Sequence, residues 1–156
     1  MISLIWAQSK NNIIGKDNKL PWNIKEEMQH FINYTKNKTI LMGRNTWDSL
    51  SKKPLPNRKN ILITSRELEK SYNNLEVSNN LEEILKKYQL SQEELVIIGG
   101  SQIYKSALNY ADKLVISIIK QNYPGDVFAP QWDNLLFKMT HKEDFSEFTT
   151  YYYERQ

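Results

Sequence analysis

A chain of 156 residues is long enough for one domain with a real core and too short for two ordinary ones, and its 40% hydrophobic and 25% charged content is that of a globular protein. There is no cysteine, which excludes disulfides, thiolate nucleophiles and cysteine-based metal sites. The two histidines, His30 and His141, are too far apart in sequence to suggest a zinc site or a hydrolytic triad, so no metal is expected. A net charge of +3, from 21 basic and 18 acidic residues, favours anionic ligands weakly and predicts no nucleic-acid partner.

The opening "MISLIWAQS" lacks the basic leader and small-residue cleavage site of a signal peptide, and no stretch has the length of a membrane span. A cytoplasmic protein with no membrane partner is expected, with monomer as the default. Short β-branched runs then alternate with helical stretches, which argues an α/β fold in a single domain over residues 1–156. Strands are predicted at "ISLIWAQ", "TILMG", "NILITS", "LEVS", "LVIIGG", "KLVISII", "FKMTHKEDF" and "EFTTYYYERQ". Helices are predicted at residues 24–36, 44–50, 81–88 and 101–109. The strand, helix, strand succession from "LVIIGG" to "LVISII" implies parallel strands joined by a right-handed crossover. The last two strands have no helix between them and should run antiparallel.

The first long helix starts with two adjacent acids. Asn23 is a good N-cap, and Glu26 three residues later has capping-box spacing. On a helical wheel Ile24, Met28, Phe31, Ile32 and Thr35 form one apolar stripe. Glu26 points away from it, whereas Glu27 falls on its edge. Glu27 is either a helix-start acid that reaches solvent or an acid held in an apolar pocket. Burial would raise its pKa and the helix N-terminus would lower it. The preceding "LPW" combines a rigid φ with a large indole, so Trp22 could cover a ligand or only the core.

Groups suited to anions recur at the ends of predicted strands. "LMGRNTW" places Gly43, Arg44, Asn45 and Thr46 at a helix start, and "LITSR" gathers Thr64, Ser65 and Arg66 at a strand exit. "IIGGS" sets a glycine pair between strand and helix without matching the usual dinucleotide fingerprint. Arg58 lies in the proline-rich loop "PLPNRKN", where a fixed guanidinium suits a carboxylate. Each of these has a plain structural alternative: an N-cap with a surface arginine, a polar loop exit, a tight turn or a solvated cation.

In order and in register, "MISLIWAQSKNNIIGKDNKLPWNIKEEMQHF", "TILMGRNTWDSL", "PLPNRKNILITS", "VIIGGSQIY" and "GDVFAP" resemble bacterial dihydrofolate reductase over nearly the whole chain. The resemblance implies an eight-stranded, mostly parallel sheet with an antiparallel C-terminal hairpin, flanked by about four helices. It implies reduction of dihydrofolate to tetrahydrofolate with NADPH, antifolate inhibitors as ligands, and Glu27 as the acid that binds the pterin. Trp22 and Ser117 would support Glu27. Ile5, Ala7, Met28, Phe31, Leu50, Leu55 and Ile98 would wall the substrate pocket, and Arg58 would grip the glutamate α-carboxylate.

For the cofactor the resemblance implies Ala7, Ile14, Leu20 and Thr46 near the nicotinamide and its ribose. Arg44, Thr46, Gly100, Ser101 and Gln102 would lie around the phosphates, and Gly43, Asn45, Gly99 and Tyr104 would also bind the cofactor. Thr64, Ser65 and Arg66 would hold the adenosine end, and Gly99-Gly100 would be a cis peptide. Residues 15–22 would form a lid braced by "PGDV" with Asp126. The chain departs from the family pattern at Glu27, where Asp is common, at Asn45 and Gln102, where a basic residue is common, and at Val127 and Ala129. It also carries one residue more than some relatives around Lys52 and Lys53. A pyrimidine reductase of the riboflavin pathway would share the general fold and cofactor, but would not need the Pro-Trp entry, a pocket acid or Arg58. An oligonucleotide-binding module would need one basic face, which the sequence does not collect.

Overall fold

Runs such as "TILMG" are apolar without alternation, the pattern of strands covered on both faces. They form the inner strands of an eight-stranded sheet. The computed structural model describes residues 1–17 and 19–156; Asn18, inside the predicted lid segment, lies outside the described residues. In chain order the sheet strands are β1 Ile2–Gln8, β3 Thr39–Gly43, β4 Lys59–Ile63, β5 Leu75–Ser78, β6 Leu95–Gly99, β7 Lys113–Ile119, β9 Phe137–Asp144 and β10 Phe148–Arg155. They are arranged β5-β4-β3-β6-β1-β7-β10-β9. All neighbours from β5 to β7 are parallel, and β10 runs antiparallel to both β7 and β9. The predicted fold class holds.

Four helices cover the sheet: α1 Lys25–Thr35, α2 Arg44–Ser49, α3 Leu81–Gln89 and α4 Ser101–Ala107, the last extended by a 3-10 turn over Leu108–Tyr110. One face buries Ile5, Ile40, Met42, Leu62, Val96 and Val115, with Phe31 and Tyr34 of α1 and Trp47 of α2 packed on them. The other buries Ile2, Leu4, Leu41, Ile61 and Ile97 under Ile84, Leu85 and Tyr88 of α3 and Tyr104 and Ala107 of α4. Alternate residues of each strand thus supply the two cores.

Two short strands were not legible as periodic runs. β2 Ile13–Gly15 and β8 Val127–Phe128 pair antiparallel in a separate two-stranded sheet, too brief for any alternation to register. A second difference lies at the start of α1. Ile24, in extended backbone, is the N-cap, and no side chain caps the helix. Asn23 is therefore one residue outside the helix start, and the predicted capping box does not form. Asn80 does cap α3, accepting from the Glu83 N–H at 3.1 Å.

Candidate active site

The parallel strands end in a cleft, the usual place for a ligand in an open α/β sheet. Ala7 of β1, Gly43 and Ile63 at the ends of β3 and β4, and Gly99 at the end of β6 all line one cavity of about 1080 Å³. That lies just above the roughly 300–1,000 Å³ typical of a single small-molecule site. α1 forms one wall, and the starts of α2 and α4 form the other.

The α1 wall explains the apolar stripe. Met28 and Ile32 are 46% and 39% exposed, large values for such residues, because they face the cavity rather than the core. Ile5, Phe31, Leu50, Leu55 and Ile98 complete this apolar end. Glu27 is the one carboxyl among the described residues lining the cavity, and it is only 8% exposed, whereas Glu26 is exposed to solvent. Burial raises the Glu27 pKa from the ordinary 4.5 to about 7, partly offset by the Trp22 indole. The Trp22 Nε1 is itself buried and, among the described residues, has no hydrogen-bond partner of ordinary geometry. The Ser117 hydroxyl is engaged with Thr150 Oγ1 at 2.7 Å.

Arg58 closes the far end of the same wall. Its Nε donates to Thr35 Oγ1 at 2.9 Å, Nη2 donates to the Ile32 carbonyl at 3.2 Å, and Nη1 donates to the Pro56 carbonyl. The residue is 8% exposed and has no carboxylate partner among the described residues. Burial lowers its pKa. A guanidinium offers five N–H donors, so two remain for a ligand.

The opposite wall is built for close approach. Gly99 has φ +136°, and a Cβ there would sit 2.9 Å from Thr46 Oγ1; Gly99-Gly100 is cis, as the resemblance implies. Gly100, Ser101, Gln102 and Tyr104 line the cavity at the start of α4. Tyr104 is buried, its hydroxyl donates to the Ile5 carbonyl at 2.6 Å, and burial raises its pKa. Arg44, Asn45 and Thr46 line it at the start of α2, and Ile14 and Leu20 border it as well.

Thr64, Ser65 and Arg66 are not part of the cavity wall; they follow Ile63, which is. Asp48 draws this segment in. Its Oδ1 accepts from Arg44 Nε at 3.1 Å, and its Oδ2 lies 3.9 Å from Arg66 Nη2. The Arg66 N–H donates to Thr64 Oγ1 at 3.1 Å. One carboxylate thereby holds two guanidiniums beside each other at the edge of the cavity. Sequence reasoning missed Lys19, Gln29, Asn33, Lys36 and Ile103 in the lining. Ile32 lies on the stripe that carries Met28, so the wheel points to it although the family motifs do not.

The family model for dihydrofolate reductase matches residues 1–155. The chain belongs to the dihydrofolate reductase family. It is 38% identical over 156 residues to the dihydrofolate reductase of Ureaplasma parvum, covering 100% of this chain and 98% of that one. To the enzyme of Bacillus subtilis it is 37% identical over 143 residues, covering 92% and 83%. Among solved structures it resembles a dihydrofolate reductase from Enterococcus faecalis complexed with NADP(H) and RAB-propyl. The TM-score is 0.87 at 30% identity, with 99% of this chain and 96% of that one covered.

Proposed function

We propose that the protein reduces dihydrofolate to tetrahydrofolate with NADPH, and that Glu27 is the acid that orients the pterin and governs its protonation. The observation that carries this reading is the position of Glu27, a buried carboxyl with a pKa near 7 in an otherwise apolar end of the cavity. A group titrating near neutrality can accept hydrogen bonds from a pterin as carboxylate and hold a proton available at the ring nitrogen N5. Arg58, with two donors to spare, suits the substrate's α-carboxylate, and Met28, Phe31, Leu50 and Leu55 suit its rings. Antifolate inhibitors would compete for the same wall.

The residues present also fit the cofactor. The glycine pair leaves backbone uncovered where a Cβ would collide with Thr46, and Arg44 with Arg66 gives two cations for phosphates. Gly100, Ser101, Gln102 and Thr46 would hold the pyrophosphate, and Thr64, Ser65 and Arg66 the adenosine end. Bound there, NADPH supplies the hydride. The chain's own task is to place the reacting faces together and exclude water, with Ile14 and Leu20 bordering the cavity. A monomer is the state we propose. NADPH consumption in the presence of dihydrofolate tests the reading. Wild type and Glu26→Ala should turn over, and Glu27→Ala should lose activity severely. A well-folded wild type that leaves NADPH untouched would overturn it.

A further inference from the structure

α1 carries Glu27 on its first turn, so the depth of that carboxyl depends on how the helix is held against the sheet. Near its C-terminal end the helix is tied twice. Arg58 donates to Thr35 Oγ1 and the Ile32 carbonyl, and the Tyr34 hydroxyl donates to Glu94 Oε2 at 2.7 Å. Toward Glu27 the described residues supply one side-chain hydrogen bond from the helix to the sheet. His30 Nε2 lies 2.8 Å from the Tyr152 hydroxyl of β10, and that hydroxyl donates to Glu143 Oε1 of β9 at 2.5 Å.

The direction of this chain follows from proton count. A phenol has one hydrogen, and here it goes to Glu143, so the Tyr152 oxygen can only accept from His30. His30 must therefore carry its proton on Nε2, and the chain runs imidazole to phenol to carboxylate across three elements. His30 is three residues after Glu27, on a neighbouring part of the helix surface. Tyr152 packs on the same core as Phe31 and Tyr34, its ring 6.5 Å from that of Tyr34. It is thus placed to set the height of the middle of the helix.

We propose that the Glu143–Tyr152–His30 chain is a positioning device for the acid of the active site, holding the first half of α1 down so that Glu27 stays out of water. The proposal rests on the reading of Glu27 as the working acid. The groups facing His30 are Tyr152 from β10 and Glu143 from β9, with Phe145 beside it and the His141 ring 5.4 Å from Tyr152. Those influencing or influenced by Glu27 are Trp22 and, from α4, Tyr104. Releasing the helix would admit water to Glu27 and move its titration toward that of an ordinary carboxyl.

Carboxyl carbon NMR of the ligand-free protein reads this without turnover, with Glu27→Gln used to assign the resonance. Tyr152→Phe keeps the ring and removes the hydroxyl, and His30→Leu removes the donor from the other side. Each should lower the Glu27 midpoint by about half a pH unit or more. His30→Gln, which keeps an N–H donor, should restore it, and Tyr152→Phe with His30→Leu should shift it no further than either alone. In turnover of dihydrofolate the same variants should lose about threefold in kcat/KM on the alkaline limb, where a half-unit fall in pKa costs that factor. A Glu27 midpoint unchanged in Tyr152→Phe and His30→Leu would overturn the proposal, even with a lowered thermal midpoint, because that is what mere packing predicts. Absence of turnover in wild type would instead overturn the functional reading, leaving the NMR result to stand by itself.

Discussion

Glu27→Gln removes the charge of the pocket acid while keeping the shape of its protonated form, and the consequence for stability can be worked out. In the unfolded chain the carboxyl titrates near 4.5, and in the folded protein near 7. The folded state therefore binds the proton more tightly, and stability falls as pH rises through the interval. The contribution is fully present below about pH 4.5 and is lost as pH passes about 7. At about 1.4 kcal/mol per pH unit the interval is worth about 3 kcal/mol. Urea unfolding of the ligand-free proteins at several pH values should find the two within about 1 kcal/mol of each other near pH 4.5, with Glu27→Gln the more stable by about 3 kcal/mol near pH 9. A difference independent of pH would refute the reasoning, because it would mean that Glu27 is solvated in the folded protein.

Arg58→Lys cannot reproduce a fork that already spends donors on Thr35, Ile32 and Pro56. Calorimetry should show about 10- to 100-fold weaker binding of dihydrofolate, as expected for losing a charge-assisted hydrogen bond, and little change for an analogue lacking the glutamate. Equal losses for both ligands would make Arg58 purely structural. Arg66→Ala should raise the KM for NADPH about tenfold, as for one lost phosphate contact, and leave NADH nearly unaffected; a parallel rise with NADH would remove Arg66 from the phosphate site. Gly125→Ala would put a Cβ 2.3 Å from Ile13 Cγ2 and 2.6 Å from the Gly15 carbonyl oxygen. It should lower stability by about 1–3 kcal/mol, the usual cost of overpacking, and an unchanged urea midpoint would show that β8 can move aside freely.

Long buried strands were legible because apolar runs such as "TILMG" and "KLVISII" have no competing reading once helices alternate with them. β2 and β8 were not, since two or three residues cannot display a period and their pairing depends on a contact between distant loops. The helix wheel found Glu27 at the edge of the stripe but could not say that the stripe faces a void. Met28 and Ile32 look like core residues in sequence and are exposed in the fold. Asn23 illustrates the reverse error, because a good capping residue one position too early has nothing to cap. Arg44 and Arg66 were legible as separate cations, whereas their meeting at Asp48 follows from β3 and β4 being neighbours in the sheet.

The strand order has a consequence for how the site comes into being. Ala7, Gly43, Ile63 and Gly99 meet at one rim only because β1 inserts between β6 and β7 while β3 sits between β4 and β6. Apart from β3 beside β4, which gathers Arg44 and Arg66, the pairings that create the cleft join stretches far apart in the chain, Ile2 with Leu95 and Thr39 with Leu95 among them. Such contacts are late and slow to assemble. A ligand that spans the rim therefore recognises the finished sheet and nothing before it. Its binding energy adds to the stability of the whole fold rather than of one loop, in proportion to the logarithm of its concentration over Kd. Cellular supply of substrate and cofactor thus sets, in part, how much of this protein stays folded.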